Sequence, residues 1–288
     1  MANPLELRRR IRSVENTRQI TRAMQLVAAS RMRRAQDAAD AARPYAQEVL
    51  GLMQQLVAAT GDDLLPPMLR TRPVEHSAYV VMTTNRGLCG ALNTNVVRQA
   101  MEDIEESRAS AEVSVIVIGR RGRTSLARLV PMQAAFTDIS DRPTAADIIP
   151  IARMVMDGYL AGDFDEVQIV YPEFVNTLTQ RPKSLRLLPV VLPEDSDPRD
   201  ADVIFEPDPA TVLEALVPRF IETVLYETLL ELTASEHSAR MVAMRAATEN
   251  ASELIDALGL TYNKLRQAKI TSEIIDIASG ANALAQRA

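Results

Sequence analysis

The sequence predicts an α/β fold in which a small layered domain is inserted between two long terminal helices that pair as an antiparallel coiled coil. Three observations support this prediction. The chain has neither glycine nor proline between Leu5 and Arg43, and it has no proline after Arg219. Short β-branched runs alternate with helical segments in the middle. The aromatic content of 4% also suits long helices better than an aromatic-rich core.

Residues 1–60 are predicted to form one helix. Their apolar residues recur mostly three, four or six positions apart, with arginines on the other faces: Leu7, Ile11, Val14, Ile20, Met24, Val27 and Ala28. Pro44 is not expected to end this helix, because the pattern continues until Gly61. Nine arginines against two glutamates up to Arg34 give this end a charge of +7, although the whole chain carries −6. Such an excess indicates an anionic partner, with a solvated helix face as the alternative.

Residues 75–205 are predicted to form the inserted α/β domain. Its strands are predicted at Tyr79–Met82, Val113–Ile118 and Val167–Tyr171, with weaker candidates at Met132–Phe136 and Leu185–Val191. Helices are predicted between them at Thr94–Ser107, Arg123–Leu129 and Thr144–Leu160. Thr144 followed three residues later by Asp147 is typical of a helix N-terminus. Alternating strands and helices favour a Rossmann-like domain with a mainly parallel sheet.

Residues 209–288 are predicted to form the second long helix, after an acidic, proline-rich linker. The linker contains Pro189, Pro193, Pro198, Pro207 and Pro209 together with Asp195, Asp197, Asp200 and Asp202. A helix this long approaches ~100 Å and cannot bury its apolar stripe on one globular core. It therefore needs a partner helix or a second protein, and the N-terminal helix is the obvious partner.

The residue counts exclude several classes of site. One cysteine, Cys89, excludes a disulfide within the chain and any multi-cysteine metal site. Two histidines, His76 and His237, leave little room for a histidine metal centre. No apolar run approaches the roughly 20 residues of a membrane span, and no apolar signal core follows Met1. These features predict an intracellular protein that is soluble or peripheral.

No set of residues in the sequence predicts a catalytic site. The segment Gly119–Arg123 lacks the spacing of a phosphate-binding loop and is interpreted as a tight strand-to-helix turn. Cys89 is interpreted as a small buried hydrophobe, and the histidines as solvated or hydrogen-bonded. The carboxylate pairs are expected to be solubilising: Asp62–Asp63, Glu105–Glu106 and Asp165–Glu166. Two alternatives stay open, a nucleic-acid-binding coiled coil without the usual interleaved aromatics and a small-molecule enzyme in the α/β domain.

Several segments resemble the γ subunit of F-type ATP synthases. The first is Arg10–Met24 followed by Val27–Ser30, and the last is Ile270–Ala281. Segments similar to the family also lie between them, in the same order: Asn85–Gly90, Val175–Thr177 and Ala239–Met244. Asn85 departs from the aspartate that is common in the family, which bears only on a local turn contact. The chain also lacks the inserted cysteine pair of the chloroplast form, so the resemblance is to the bacterial type.

The resemblance implies a central rotor shaft without a catalytic site, cofactor or metal of its own. The terminal helices would pair inside the α/β hexamer, and the α/β domain would lie toward the membrane ring of c subunits. Expected partners are the α and β subunits, the ε subunit and the c-ring, with one copy of this chain per complex and no nucleic acid. The expected location is the cytoplasmic side of the bacterial plasma membrane, with membrane contact only through the complex.

The resemblance also implies which residues contact other subunits. Arg266 and Gln267 match the stretch that touches a catch loop on β, with Arg266 as the charged donor. Arg22, Met24 and Arg240 match positions where the paired helices meet the lower rim of the hexamer. The small, weakly charged tail from Ile277 through Ala281 to Leu284 is expected to turn in an apolar collar, with plain coiled-coil packing as the alternative for the tail and for Met24.

Overall fold

A computed structural model of the chain describes residues 4–61, 64–192 and 205–285. The helices are α1 (Pro4–Ala59), α2 (Leu92–Ser107), α3 (Arg120–Leu126), α4 (Ala145–Ala161) and α5 (Pro209–Ala285). A short 3-10 helix covers Pro67–Leu69. The strands are β1 (His76–Met82), β2 (Glu112–Ile118), β3 (Met132–Phe136), β4 (Glu166–Phe174) and β5 (Gln180–Leu188). Asp62–Asp63 and most of the predicted acidic linker lie outside the described residues.

The five strands form one sheet in the order β3-β2-β1-β4-β5. Strands β1 to β4 are parallel, and β5 pairs antiparallel with β4 at the edge. The predicted mainly parallel sheet is therefore confirmed. Because the connections after β1 and β2 contain α2 and α3, the carboxyl ends of the central strands meet at one edge of the sheet.

Alternate side chains of the strands pack into two separate hydrophobic cores, one on each face of the sheet. One core packs Tyr79, Val81 and their neighbours under α2 and α3. The other core packs Val80 and Met82 against α4 and against parts of both long helices, for example Met53 on α1 and Leu225 on α5. The period-two alternation along β1 assigns neighbouring residues to opposite faces, which makes the domain three layers thick.

Local sequence signals account for several features of the elements. Helix α1 continues through Pro44 as predicted. Helix α4 begins after Thr144, whose backbone N–H and hydroxyl both donate to Asp147 Oδ2, at 2.7 and 2.9 Å. Strand β5 begins five residues before the predicted Leu185 and ends before Pro189, because its first half is a polar edge without an apolar run.

The chain divides into two compact units, Met1–Val27 with Met241–Ala288 and Ala28–Arg240. In the second unit, α1 and α5 run antiparallel. Arg31 and Arg34 lie beside Thr233 and His237, whereas the later part of α1 lies beside the earlier part of α5, around Phe220. In the first unit, α1 meets α5 at Thr21 and Thr248. The predicted pairing of the two terminal helices is thus present in each unit.

Candidate functional site

The end of α5 carries an exposed apolar face. Every described side chain from Arg266 to Ser279 is exposed, and so is that of Ala281. Four of the apolar ones follow one another at helical spacing of four, three and four residues, which places them on one side of the helix: Ile270, Ile274, Ile277 and Ala281. Ile277 is 73% exposed. The predicted contact residues Arg266, Gln267, Ile277 and Ala281 therefore share one exposed stretch of helix.

The beginning of α1 carries a row of arginines. Among the described residues, these have no carboxylate within ion-pair distance: Arg8, Arg9, Arg10, Arg12, Arg18 and Arg22. Arg22 is exposed, and Met24 two residues later is half-buried. Of these two predicted contact residues, Arg22 is exposed with no carboxylate partner in the described ranges, whereas Met24 is half-buried.

Arg240 lies in a different environment from the other predicted contact residues. Its side chain is only 8% exposed. Its guanidinium donates to the backbone carbonyl of Gly87, from Nε at 3.3 Å and from Nη2 at 3.1 Å. Nη2 also donates to Glu236 Oε1 at 2.6 Å. A contact between Arg240 and another subunit stays a prediction, and the guanidinium is already engaged inside its own unit.

Two titratable groups near Arg240, His237 and Cys89, are held in their neutral forms. His237 is 3% exposed, and its burial next to Arg240 and Arg31 lowers its pKa from 6.5 to about 4. Burial also raises the pKa of Cys89, although Arg240 acts in the opposite direction. Asn93 Nδ2 donates to Cys89 Sγ at 3.2 Å. A buried thiol with a raised pKa is a poor nucleophile, which agrees with the interpretation of Cys89 as a buried hydrophobe.

Three segments that are distant in sequence converge at the carboxyl edge of the sheet. The segment Asn85–Gly90 follows β1 and meets Arg240 on α5 through Gly87. The segment Val175–Thr177 follows β4, and the carbonyl of Thr177 accepts the hydroxyl of Ser238 on α5 at 2.6 Å. Sequence reasoning identified these segments only by resemblance and did not predict that they meet, because their proximity depends on how α5 lies across the sheet.

The turn between β2 and α3 leaves no backbone amide for a phosphate. Gly119 has φ +93, and the four following N–H groups all have acceptors within the protein: Asn85 Oδ1, the carbonyl of Thr84, Thr83 Oγ1 and the carbonyl of Gly119. A Cβ on Gly119 would lie 2.1 Å from the carbonyl oxygen of Thr83. The interpretation of this segment as a tight turn agrees with this geometry.

The expectation for the pair Asp165–Glu166 was wrong. Burial would raise the pKa of Asp165, but the backbone N–H groups of His76 and Glu75 and the nearby Arg72 together lower it. Glu166 is buried and pairs with Arg186 at 2.6 Å. Both carboxylates therefore hold the start of β4 in place, whereas Glu105 and Glu106 are exposed as expected.

The remaining cavities and clusters carry little chemistry. A cleft of about 530 Å³ is lined by Arg31, Arg34 and Arg142 and reaches Asp141 and His237. No group of three or more histidine, cysteine or acidic side chains in the described ranges could hold a metal ion. Within the same ranges, no helix is both long and apolar enough to cross a membrane.

Comparison with known proteins gives consistent results over the whole chain. The family model described as ATP synthase matches residues 3–284. The ATP synthase gamma chain of Roseiflexus castenholzii is 48% identical over 289 residues, covering 99% of this chain and 100% of its own length. The gamma chains of Herpetosiphon aurantiacus and Dehalococcoides mccartyi are 46% and 45% identical with the same coverage.

Solved structures show the same fold at lower identity. A chain in the mitochondrial ATP synthase of Euglena gracilis (OSCP/F1/c-ring) is 19% identical, with a TM-score of 0.69 and coverage of 98% of this chain and 94% of its own. A chain in the central stalk and c-ring of the Tetrahymena thermophila enzyme is 24% identical, with a TM-score of 0.60 and coverage of 81% and 99%. Neither the nucleic-acid-binding alternative nor the enzyme alternative is favoured by these similarities. With a family model over nearly its full length and bacterial relatives at 45–48% identity, the chain belongs to the ATP synthase gamma-chain family.

Proposed function

We propose that this chain is the central rotor shaft of an F-type ATP synthase and couples ion flow through a membrane c-ring to ATP synthesis or hydrolysis on the β subunits. The observation that carries the proposal is the exposed apolar face of α5 from Ile270 to Ala281. A helix with such a face needs an apolar surface outside the described chain. For a gamma chain, the surface is a collar formed by the α/β hexamer.

The proposed mechanism is mechanical. Rotation of the c-ring turns the shaft, and the shaft presents a different side to each β subunit in turn. A partner shifts a conformational equilibrium only when it contacts the two states differently. The arginines at the beginning of α1 and the apolar face of α5 make the surface of the first unit chemically uneven, and this unevenness supplies the different contacts.

The assembly we propose contains one copy of this chain with the α and β subunits of the hexamer, the ε subunit and the c-ring. The helical segments 1–60 and 209–288 form the shaft, and the domain 75–205 faces the c-ring. The complex lies on the cytoplasmic side of the bacterial plasma membrane, and this chain contacts the membrane only through the complex. The bacterial gamma-chain relatives support this assignment.

In this assembly the chain has no catalytic site, cofactor or metal of its own. Arg266 is the charged donor to a loop of β, with Gln267 beside it, and both side chains are exposed. Arg22 meets β carboxylates at the lower rim of the hexamer with Met24 next to it. Ile277 and Ala281 rotate inside the apolar collar. Small side chains there interdigitate little with the collar, so few contacts must break as the shaft rotates.

Reconstitution tests the function directly. Purified α and β subunits are mixed with or without this chain, and ATP hydrolysis is measured. We expect sustained hydrolysis only when the chain is present. Equal hydrolysis without it would contradict the proposed role.

The apolar collar is tested separately in the same assembly. Truncation after Ile277, which shortens the exposed face, or the double change Ile274→Ser and Ile277→Ser, which removes its centre, should weaken the complex and lower its torque. Ile275→Ser is the matched control, since Ile275 is also exposed but points away from the row formed by Ile270, Ile274 and Ile277. Unchanged torque and hexamer stability in both altered chains would exclude the collar.

A further inference from the structure

Asp141 connects three segments of the second unit. It lies in the loop after β3, and its Oδ2 accepts Arg31 Nη1 at 2.9 Å and Arg86 Nη1 at 3.1 Å. Arg31 is on α1, and Arg86 is in the loop after β1. One carboxylate therefore ties α1 to two loops at the carboxyl edge of the sheet.

Arg240 makes the corresponding connection from α5. Its guanidinium bridges Glu236, one turn earlier on α5, and the carbonyl of Gly87 in the loop after β1. Because Glu236 holds the planar guanidinium on α5 while Gly87 belongs to the loop after β1, a rotation of α5 about its axis would break the contact with Gly87. Gly87 leaves room for the arginines around it, since a Cβ there would lie 2.4 Å from Arg121 Nη2.

Asn85, in the loop after β1, contacts both the loop after β3 and the turn after β2. Its Nδ2 donates to the carbonyl of Ile139 at 3.1 Å, and its Oδ1 accepts the N–H of Arg120 at 3.1 Å. The loops after β1, β2 and β3 are thereby linked, and α1 and α5 both attach to them. We call Arg31, Arg86, Asp141, Glu236 and Arg240 the carboxyl-edge cluster.

We propose that the carboxyl-edge cluster is the link through which torque passes between the α/β domain and the two long helices, with Asp141 and Arg240 as positioning residues. The inference rests on the proposed rotor function. Apolar packing between helix and sheet is non-directional, whereas charged hydrogen bonds hold defined atoms at defined distances. The cluster therefore adds a directional restraint on how each helix turns relative to the sheet.

The exposure of Asp141 makes this role separable from folding. The Arg31–Asp141 pair is 36% and 41% exposed, and exposed ion pairs add little to the free energy of unfolding. Loss of Asp141 should leave a folded, assembled subunit whose helices are less firmly held. A residue that acts only on stability would instead lower the amount of complex and leave the coupling of each complex unchanged.

The first experiment uses the complete ATP synthase containing this chain, reconstituted in lipid vesicles. Protons pumped per ATP hydrolysed are measured for Asp141→Asn. We expect at least a twofold lower ratio with hydrolysis retained. Asp138→Asn is the matched control, because Asp138 lies in the same loop but its side chain is 94% exposed. Its Oδ1 lies 3.8 Å from Arg120 Nη2, near the outer limit of an ion pair.

The second experiment tests whether the contact partner is inside this chain. Arg31→Asp alone should lower the pumping ratio like Asp141→Asn, and the combination of Asp141→Arg with Arg31→Asp and Arg86→Asp should restore at least half of the loss, because Asp141 pairs with both arginines. Rescue by exchanging these charges requires that they face one another. An Arg31 whose partner is a β subunit would not be rescued.

The third experiment tests the contacts that α5 makes in the cluster, and its readout is the alkylation rate of Cys89. Cys89 is the single thiol of the chain. Arg240→Lys keeps the positive charge but lacks the planar guanidinium that donates to both the carbonyl of Gly87 and Glu236. In the assembled complex we expect at least fivefold faster alkylation of Cys89, followed by mass spectrometry, together with a lower pumping ratio. If the unaltered chain supports no pumping at all, the proposed function fails. If it pumps and the Asp141 and Arg240 variants pump and alkylate like it, the torque link alone is overturned.

Discussion

The hydroxyl oxygens of Thr21 on α1 and Thr248 on α5 lie 2.8 Å apart and join the two helices of the first unit. Helix α1 begins at Pro4, 17 residues before Thr21 (21 − 4), so an antiparallel partner with the same rise is covered as far as residue 265 (248 + 17). Leu265 is the last described residue of α5 that is not exposed. The described start of α1 therefore lies level with the point where the exposed end of α5 begins.

The Thr21–Thr248 contact should contribute measurably to the pairing of the helices. Each hydroxyl can also donate to its own helix, Thr21 to Arg18 and Thr248 to Met244. We expect Thr21→Val and Thr248→Val to be coupled by about 1 kcal/mol in a double-mutant cycle of the free energy of unfolding. Thr17→Val is the control, because the hydroxyl of Thr17 donates to the carbonyl of Ser13 within α1, its one hydrogen bond in the described part of the chain. Strict additivity of the two changes would contradict the contact.

The buried His237 should make the chain less stable in mild acid. Its pKa in the folded chain is about 4, below the ordinary 6.5, so between these values the unfolded chain binds more protons. The stabilisation is complete above pH 6.5 and is lost as the pH falls toward 4, by up to about 3 kcal/mol.

Urea unfolding at a series of pH values tests this prediction. His237→Gln should remove most of the loss below pH 6.5, whereas His76→Gln should not, because the His76 side chain is 45% exposed. Glu236 contributes an opposing slope, since burial raises its pKa. The comparison between the two histidine variants cancels that slope. Parallel curves for both variants would contradict a role for His237.

Asn85→Asp should weaken the carboxyl edge of the sheet at neutral pH. A carboxylate can accept the N–H of Arg120 but cannot donate to the carbonyl of Ile139, as the amide does. We expect a loss of about 1–2 kcal/mol in the free energy of unfolding, shrinking at low pH where the protonated carboxyl can donate. Asn250→Asp, an exposed change on α5, is the control. An equal effect of both changes would show that the amide contact is unimportant.

Gly119→Ala and Gly51→Ala should have opposite effects on stability. A Cβ at Gly119 meets the carbonyl oxygen of Thr83 at 2.1 Å in a backbone with φ +93, so the expected loss is about 3 kcal/mol or more. Gly51 lies inside α1 with no atom within 4 Å of a new Cβ, so alanine there should stabilise by about 0.5–1 kcal/mol. Thermal unfolding of the two variants measures both effects. A tolerated Gly119→Ala would contradict the close turn.

The sequence by itself determined the elements of this fold. The long helices follow from extended stripes of apolar residues with few interrupting glycines or prolines, and the N-terminus of α4 follows from Thr144 and Asp147 three residues apart. The parallel sheet follows from strands that alternate with helices. These features depend on neighbours within a few positions, where propensity, capping and periodicity act.

Only the tertiary structure decided which side chains face the outside of the chain. Arg22 and Arg240 are equally basic in the sequence, yet one is exposed and the other is enclosed by Gly87 and Glu236. Asp165, expected to be solubilising, instead anchors the start of β4. The physical reason is that burial and ion pairing depend on partners far away in the sequence, 89 positions for His76 and Asp165 and 153 for Gly87 and Arg240, which no local pattern records.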